Sequence, residues 1–400
     1  MLRELNFLAP GKLTWLEVPE PELLAPTDAI VRPFVAGRCD GDTLPMHQPV
    51  SRAFQLGLRS GAFEPSIRRI CGPVPFQGPF PIGHESLGEI VALGADVNGL
   101  AVGDRVVIPW SISCGTCDNC GRGLTSKCVT TRREFATGKD GNDSELMLAA
   151  YGFGAASGPF GGTIADLIRV PYASHTLVGL PDGLDPLRVA AAADNLANAW
   201  QIVVPFLRRR PSTRVLVVGG GAPSIGLYAA GLAAAHGASI VDYQDASPTR
   251  LAIAESLGAR PVERAIGRLP GVAGILAAGF PAPPAEKEAY DLVIEASSSG
   301  AGLRHAIRSA APGGEVCPVG YYVGARTGVP VMHMYATDIT LHASVSHPRA
   351  HLPELLAWIR EHDFPAEKVT TSLADFDDAP KTYGAHATKV VLYREPLTDN

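Results

Sequence analysis

The stretch RVLVVGGGAPSIGLYAAGLAAAHGASIVDY, residues 214–243, changes rhythm twice. Val215–Val218 form a short apolar run rich in β-branched residues. Three glycines follow, Pro223 opens an alanine-rich segment, and Gly237 closes it before a second apolar run. Strand, glycine turn, helix, strand is the signature of a βαβ unit, whose crossover requires parallel strands. The same alternation continues through the helix SPTRLAIAESLGA and the strands YDLVIEA, GGEVCPVG and DITLHAS. Residues 182–343 therefore read as a doubly wound parallel sheet, a Rossmann-type α/β domain.

On either side of this domain the pattern differs. The first 180 residues carry short apolar or alternating runs, AIVRPFVAG, GEIVALG and DRVVIPW, separated by Gly, Pro and Asp turns, so they read as β-rich. After about Val345 come an amphipathic helix, HLPELLAWIREH, and a last strand, TKVVLYRE, which is expected to pair back onto the first domain. Residues 46–80 and 132–162 read as long excursions, of the kind that compact domains usually keep for function. At 400 residues with 46% hydrophobic content, two well-buried domains are expected. A net charge of −6 without long runs gives no basic stripe for nucleic acid and no polybasic membrane patch. No apolar run reaches the roughly 18 residues of a membrane span. The expected setting is cytoplasmic and the expected partners are small molecules.

Four of the seven cysteines lie at Cys114, Cys117, Cys120 and Cys128. This spacing on a large chain suits metal ligation more than disulfides. Four thiolates saturate a tetrahedral zinc and leave no open position, so a structural zinc lobe at about residues 111–130 is the reading, ahead of an iron–sulfur cluster or free thiols. Any reactive metal must then be held elsewhere. Cys39 in AGRCDGD and the pair His84–Glu85 in PIGHESLGEIVALG are the candidates, while Cys71 and Cys317 have no assignment.

The glycine turn before the alanine-rich helix IGLYAAGLAAAHGA offers backbone amides and a helix dipole to a pyrophosphate. Gly219 and Gly221 fit the G-x-G-x-x-G spacing, but the closing glycine, Gly226, comes two residues late. Gly219, Gly221, Ser224, Ile225 and Gly226 are the candidate cofactor contacts. About 20 residues on, an acid ending the second strand would bind both ribose hydroxyls and repel a 2′-phosphate, which favours NAD over NADP.

A cysteine ending a strand, G-H-E-x-x-G, GDRVVIPW and a four-cysteine lobe, all preceding a nucleotide-binding sheet, together resemble the zinc-dependent alcohol dehydrogenases of the medium-chain dehydrogenase/reductase superfamily. The similarity covers nearly the whole chain. It implies a GroES-like β-barrel catalytic domain from residues 1–181 and 344–400, a Rossmann NAD-binding domain at 182–343, and an active site in the cleft between them. It implies two zincs per chain. Cys39 and His84 match catalytic ligands, Glu85 matches a glutamate able to approach that zinc, and Asp194 in AAAADNLANAW matches the remaining ligand. Asp42 matches the aspartate that orients the histidine. Asp245 is picked ahead of Asp242 for the ribose, with Arg250 near the adenine or in solvent, and Trp110 matches a substrate-pocket position. VIEASSSG and CPVGYY match strand ends lining the nicotinamide.

Two features depart from the family pattern. Gly41 stands where many members carry a proton-relaying hydroxyl, leaving water, Thr43 or His47 as the route, and the segment between Cys39 and His84 is longer than usual. The resemblance implies hydride transfer between an alcohol and NAD, with a homodimer or homotetramer as the assembly. A non-catalytic zinc-containing homologue and a quinone or enoyl reductase of the zinc-free type are the alternatives.

Overall fold

The computed structural model describes residues 1–47, 50–67, 74–134, 149–152, 158–264 and 289–397. Cys71 and parts of both excursions lie outside these described residues. The chain forms two compact units. Met1–Gly61, Pro65–Ala197 and Ser346–Asn400 make the first, Ala62–Glu64 and Asn198–Val345 the second.

In the first unit, β1 (Leu2–Ala9) pairs antiparallel with β2 (Lys12–Val18). Its main sheet begins with β3 (Ala29–Gly37), whose residues are almost all buried, as expected of a strand covered on both faces. After the two-residue β4 (Phe80–Pro81), β5 (Glu85–Leu93) pairs antiparallel with β3. This register sets Gly37 opposite Glu85, so Cys39 beyond one strand and His84 before the other meet at one end of the sheet. Three shorter strands, β6 (Arg105–Ile108), β7 (Ile168–Val170) and β8 (Val178–Gly179), extend it.

The second unit holds β9 (Arg214–Val218), β10 (Ile240–Asp245), β11 (Arg260–Glu263), β12 (Tyr290–Glu295), β13 (Ala310–Pro318) and β14 (Thr340–Leu341). All pairings are parallel, in the order β11-β10-β9-β12-β13-β14. That is the doubly wound order, with its switch point between β9 and β12. The helix Pro223–Ala235 is buried along nearly its whole length, which explains its uniformly apolar sequence.

The chain then returns to the first unit through the helix Pro348–His362, β15 (Ser372–Asp375) and β16 (Val390–Tyr393). As expected for the tail, β16 pairs with β3, and Val391 lies opposite Gly37. Lys389 thus arrives at the same sheet end as Glu85. The first unit runs on to Ala197, past the expected boundary at 181, because Asp194 and Asn195 are bonded to Cys39 and Glu85. Within the 46–80 excursion, Val50–Ser60 is helical, and Ala62–Glu64 pairs with Val323–Ala325 in the second unit.

Candidate metal centres and nucleotide turn

Cys39, His84 and Asp194 bring their ligand atoms within 4.8 Å of one another. The Cys39 Sγ lies 3.1 Å from Asp194 Oδ2, and His84 Nε2 lies 3.6 Å from the same oxygen. Ligands bound to one tetrahedral zinc at about 2.0–2.3 Å stand about 3.5 Å apart, so sulfur, nitrogen and oxygen here fit a shared ion. Burial, with Asp194 and Asp42 beside it, pushes the Cys39 thiol well above its usual pKa. A cation must therefore displace a proton to bind, which makes affinity depend on pH. Burial opposes protonation of His84, but the carboxylates of Asp42 and Asp194 outweigh it and raise its pKa.

Behind the ligands lies a layer of fixed partners. Asp42 Oδ1 is 3.7 Å from His84 Nδ1, and its other oxygen accepts a 2.7 Å bond from Tyr383. Asp42 thus faces the ring nitrogen away from the ligand set, as an orienting carboxylate should. Glu85 does not join the three ligand atoms. One of its oxygens is paired with the fully buried Lys389, and the other accepts the Asn195 amide at 2.9 Å. Burial still raises its pKa despite that lysine. Lys389 also donates to Arg38 O and to Asn195 Oδ1 at 3.1 Å, which fixes the orientation of the Asn195 amide. The Asn195 Nδ2 then donates to Cys39 Sγ at 3.4 Å and Asp194 Oδ2 at 3.2 Å.

The remaining first-unit candidates lie further out. Thr43 donates its hydroxyl to Asp40 O, and the His47 ring bonds Gly384 O at 2.9 Å while packing on His386. Trp110 is buried, and its backbone amide bonds Ala193 O, beside Asp194.

In the lobe, the four sulfurs of Cys114, Cys117, Cys120 and Cys128 also lie within 4.8 Å of one another, with Cys117 and Cys128 at 3.9 Å. The amides of Cys114 and Thr131 both donate to Cys128 Sγ at 3.4 Å. Burial raises the Cys114 thiol, but hydrogen bonds from Thr130, Thr116 and nearby amides bring it down to about 6. Such donors favour thiolate, the form that binds metal.

In the second unit, Gly219 and Gly221 turn the chain between β9 and its helix. A Cβ at Gly219 would stand 2.5 Å from Asp245 Oδ2, so only glycine fits, and Asp245 lies against the turn. Gly226 packs closely on β9 and the end of β12: a Cβ there would be 3.3 Å from Ala296 and 3.4 Å from Val217. It fills the helix-packing role of a third glycine despite its late position. The Gly219 and Gly221 amides are bonded to Gln244 O and Ser297 O, while Ser224 and Ile225 form the first helical turn. Asp245 is held by Arg250 at 2.8 and 2.5 Å and by Tyr243 at 3.2 Å. Asp242 is instead bound to Arg260 and Tyr290.

The family model described as alcohol dehydrogenase GroES-like domain matches residues 25–182, and that described as zinc-binding dehydrogenase matches residues 224–361. The chain belongs to the zinc-type alcohol dehydrogenases of the medium-chain dehydrogenase/reductase superfamily. A probable zinc-binding alcohol dehydrogenase of Mycobacterium tuberculosis is 28% identical over 369 residues, 91% of this medium-chain dehydrogenase and 80% of the relative. An L-threonine 3-dehydrogenase of Streptomyces avermitilis is 28% identical, covering 76% of this chain and 73% of its own. Among solved structures, an alcohol dehydrogenase from Thermus sp. ATN1 superposes with a TM-score of 0.75 at 28% identity, over 98% of this chain and 99% of that one. This medium-chain dehydrogenase is an oxidoreductase with the GroES-like and Rossmann parts of its family. No helix among its described residues is long and apolar enough to cross a membrane.

Sequence reasoning missed Lys389, Asn195 and Tyr383, which hold Glu85, Cys39 and Asp42. Asn195 has a partial signal in its place beside Asp194. Lys389, in TKVVLYRE, has none, since nothing local distinguishes a buried lysine from an exposed one.

Proposed function

We propose that the chain transfers a hydride between an alcohol and NAD, forming or consuming the matching aldehyde or ketone, at a zinc held by Cys39, His84 and Asp194. The observation that carries this reading is the donor number: three ligand atoms converge there, against four in the cysteine lobe, so one position is left for substrate. A zinc there, held by Cys39, His84 and Asp194, would supply Lewis acidity to the alcohol. The residues divide the remaining work. Asp42 orients His84, Asn195 steadies the thiolate and Asp194, and Lys389 offsets the charge of Glu85, which becomes an exchangeable fourth ligand only by leaving that lysine. Gly41 brings no hydroxyl, so the released proton is assigned to water, with His47 available once it gives up Gly384. Trp110 is assigned to the substrate pocket. Asp245, set against Gly219, supports NAD over NADP, and the first helical turn at Ser224 and Ile225 is assigned to the pyrophosphate.

Absorbance of NADH, followed with a panel of primary and secondary alcohols, tests the reading alongside NADP and a Cys39→Ala control. Turnover that disappears in the control supports it. A fully metal-loaded protein inert toward every alcohol and carbonyl would instead be a non-catalytic homologue. Metal quantification separates two tightly held zincs from the single one of a zinc-free-type reductase.

A further inference from the structure

A third group of donors lies in the second unit. Glu315 and Cys317 are two residues apart on β13 and so share one face of the sheet. The parallel register with β14 sets Thr340 opposite Glu315 and Leu341 opposite Val316, and the His342 amide donates to Val316 O at 2.9 Å. His342 therefore follows the edge strand onto the level of the other two. Its Nδ1 lies 3.1 Å from Glu315 Oε1, the Cys317 Sγ lies 3.6 Å from the same oxygen, and all three ligand atoms fall within 4.8 Å. The group runs from interior to solvent. Cys317 is 2% exposed, whereas the His342 side chain is 57% exposed.

We propose that Glu315, Cys317 and His342 form a further zinc site, exchangeable and half open, with solvent completing the coordination. The separations of 3.1 and 3.6 Å bracket the spacing of about 3.5 Å between ligands of a tetrahedral zinc. Thiolate, imidazole and carboxylate together are a zinc set, since magnesium and calcium take oxygen ligands. Two anionic ligands balance a dication. The second oxygen of Glu315 lies 3.8 Å from Arg209 Nη2, which turns Oε1 toward the thiol and imidazole in the way outer partners orient a metal-binding carboxylate. A surface histidine–glutamate pair alone would account for neither the thiol on the same oxygen nor the orienting arginine. The consequence is mechanical. β14 is a two-residue edge strand, and zinc shared between His342 and β13 would staple it to the sheet, with occupancy following the free zinc concentration.

This site is independent of the proposed hydride-transfer centre. The full-length protein, with its tightly held zinc in place, is dialysed against zinc chloride at micromolar concentrations, and bound metal is counted by atomic emission. Wild type is expected to hold one equivalent per chain more than His342→Ala, and Cys317→Ser and Glu315→Gln are expected to lose the same equivalent. Since the His342 side chain is exposed, that variant keeps its fold, as circular dichroism checks. Equal binding by wild type and folded His342→Ala overturns the proposal. So does an extra equivalent that Cys317→Ser retains. Loss of a different equivalent in Asp194→Ala reports on the proposed hydride-transfer centre alone.

Discussion

The cysteine lobe and the Cys39–His84–Asp194 set gather metal ligands in opposite ways. In the lobe the ligands come from one short segment, with Cys114 and Cys128 only 14 positions apart, and each donor is a thiol. In the other set Cys39 and Asp194 are 155 positions apart, the donors are of three kinds, and Cys39 and His84 are each backed by a residue from another part of the chain, Asn195 and Asp42. A local segment can supply all four donors of a tetrahedral site by itself. A dispersed set is held by the sheet and stops at three donors. The two candidate centres therefore differ in who positions the donors: a single loop in one, the strands of the sheet in the other.

The largest test of that contrast is Cys128→Ser. The lobe has few apolar residues of its own, so losing its ion removes folding energy on the order of 10 kcal/mol. Residues 111–130 should become protease-sensitive and the melting temperature should fall sharply. An unchanged melting curve would break the comparison. Next comes Lys389→Met, which leaves the buried Glu85 carboxylate without its cation and should cost about 3–5 kcal/mol in chemical denaturation. Asp194→Ala should act on rate: kcat/KM is expected to drop at least about 100-fold, about 3 kcal/mol of barrier, with little change in stability. If stability and activity fell together, this set would be structural as well.

The smallest effect contrasts Glu85 with Glu295, a buried carboxylate that has hydroxyl and amide donors instead of a lysine. Burial lifts Glu295 to about 7, even though Ser297 and Tyr322 donate to it. Its folded pKa lies above its unfolded one, so the folded state holds the proton longer. Stability should fall as pH rises from about 4.5 to about 7, by up to about 3 kcal/mol, and be level on either side. Glu295→Gln should flatten that slope in melting temperatures taken across the range.

Much of the fold is legible in the sequence. The 214–243 stretch contains a complete strand–turn–helix–strand unit, and such periodicity is a local property of the chain. Cys39, His84 and Asp194 are legible only through the order of motifs that resemble a family, since each is weak alone. Lys389 is invisible because its meaning depends on Val391 pairing with Gly37 across the sheet, a matter of register. The domain boundary shifts for the same reason: Asp194 and Asn195 belong to the first unit by hydrogen bonds formed at long range. The late Gly226 reads as a departure from the motif, and it packs closely against Ala296 and Val217.

The pairing of Lys389 with Glu85 joins residues 304 positions apart. During synthesis the chain emerges from its N-terminus, so the four cysteines of the lobe are released before the strands of the second unit. The buried Glu85 beside the Cys39 set is neutralised only once Lys389, just before β16, has been released. The two candidate centres are thus separated in order of synthesis as well as in donor chemistry, and the partners of the dispersed one are complete only after β16 has joined β3.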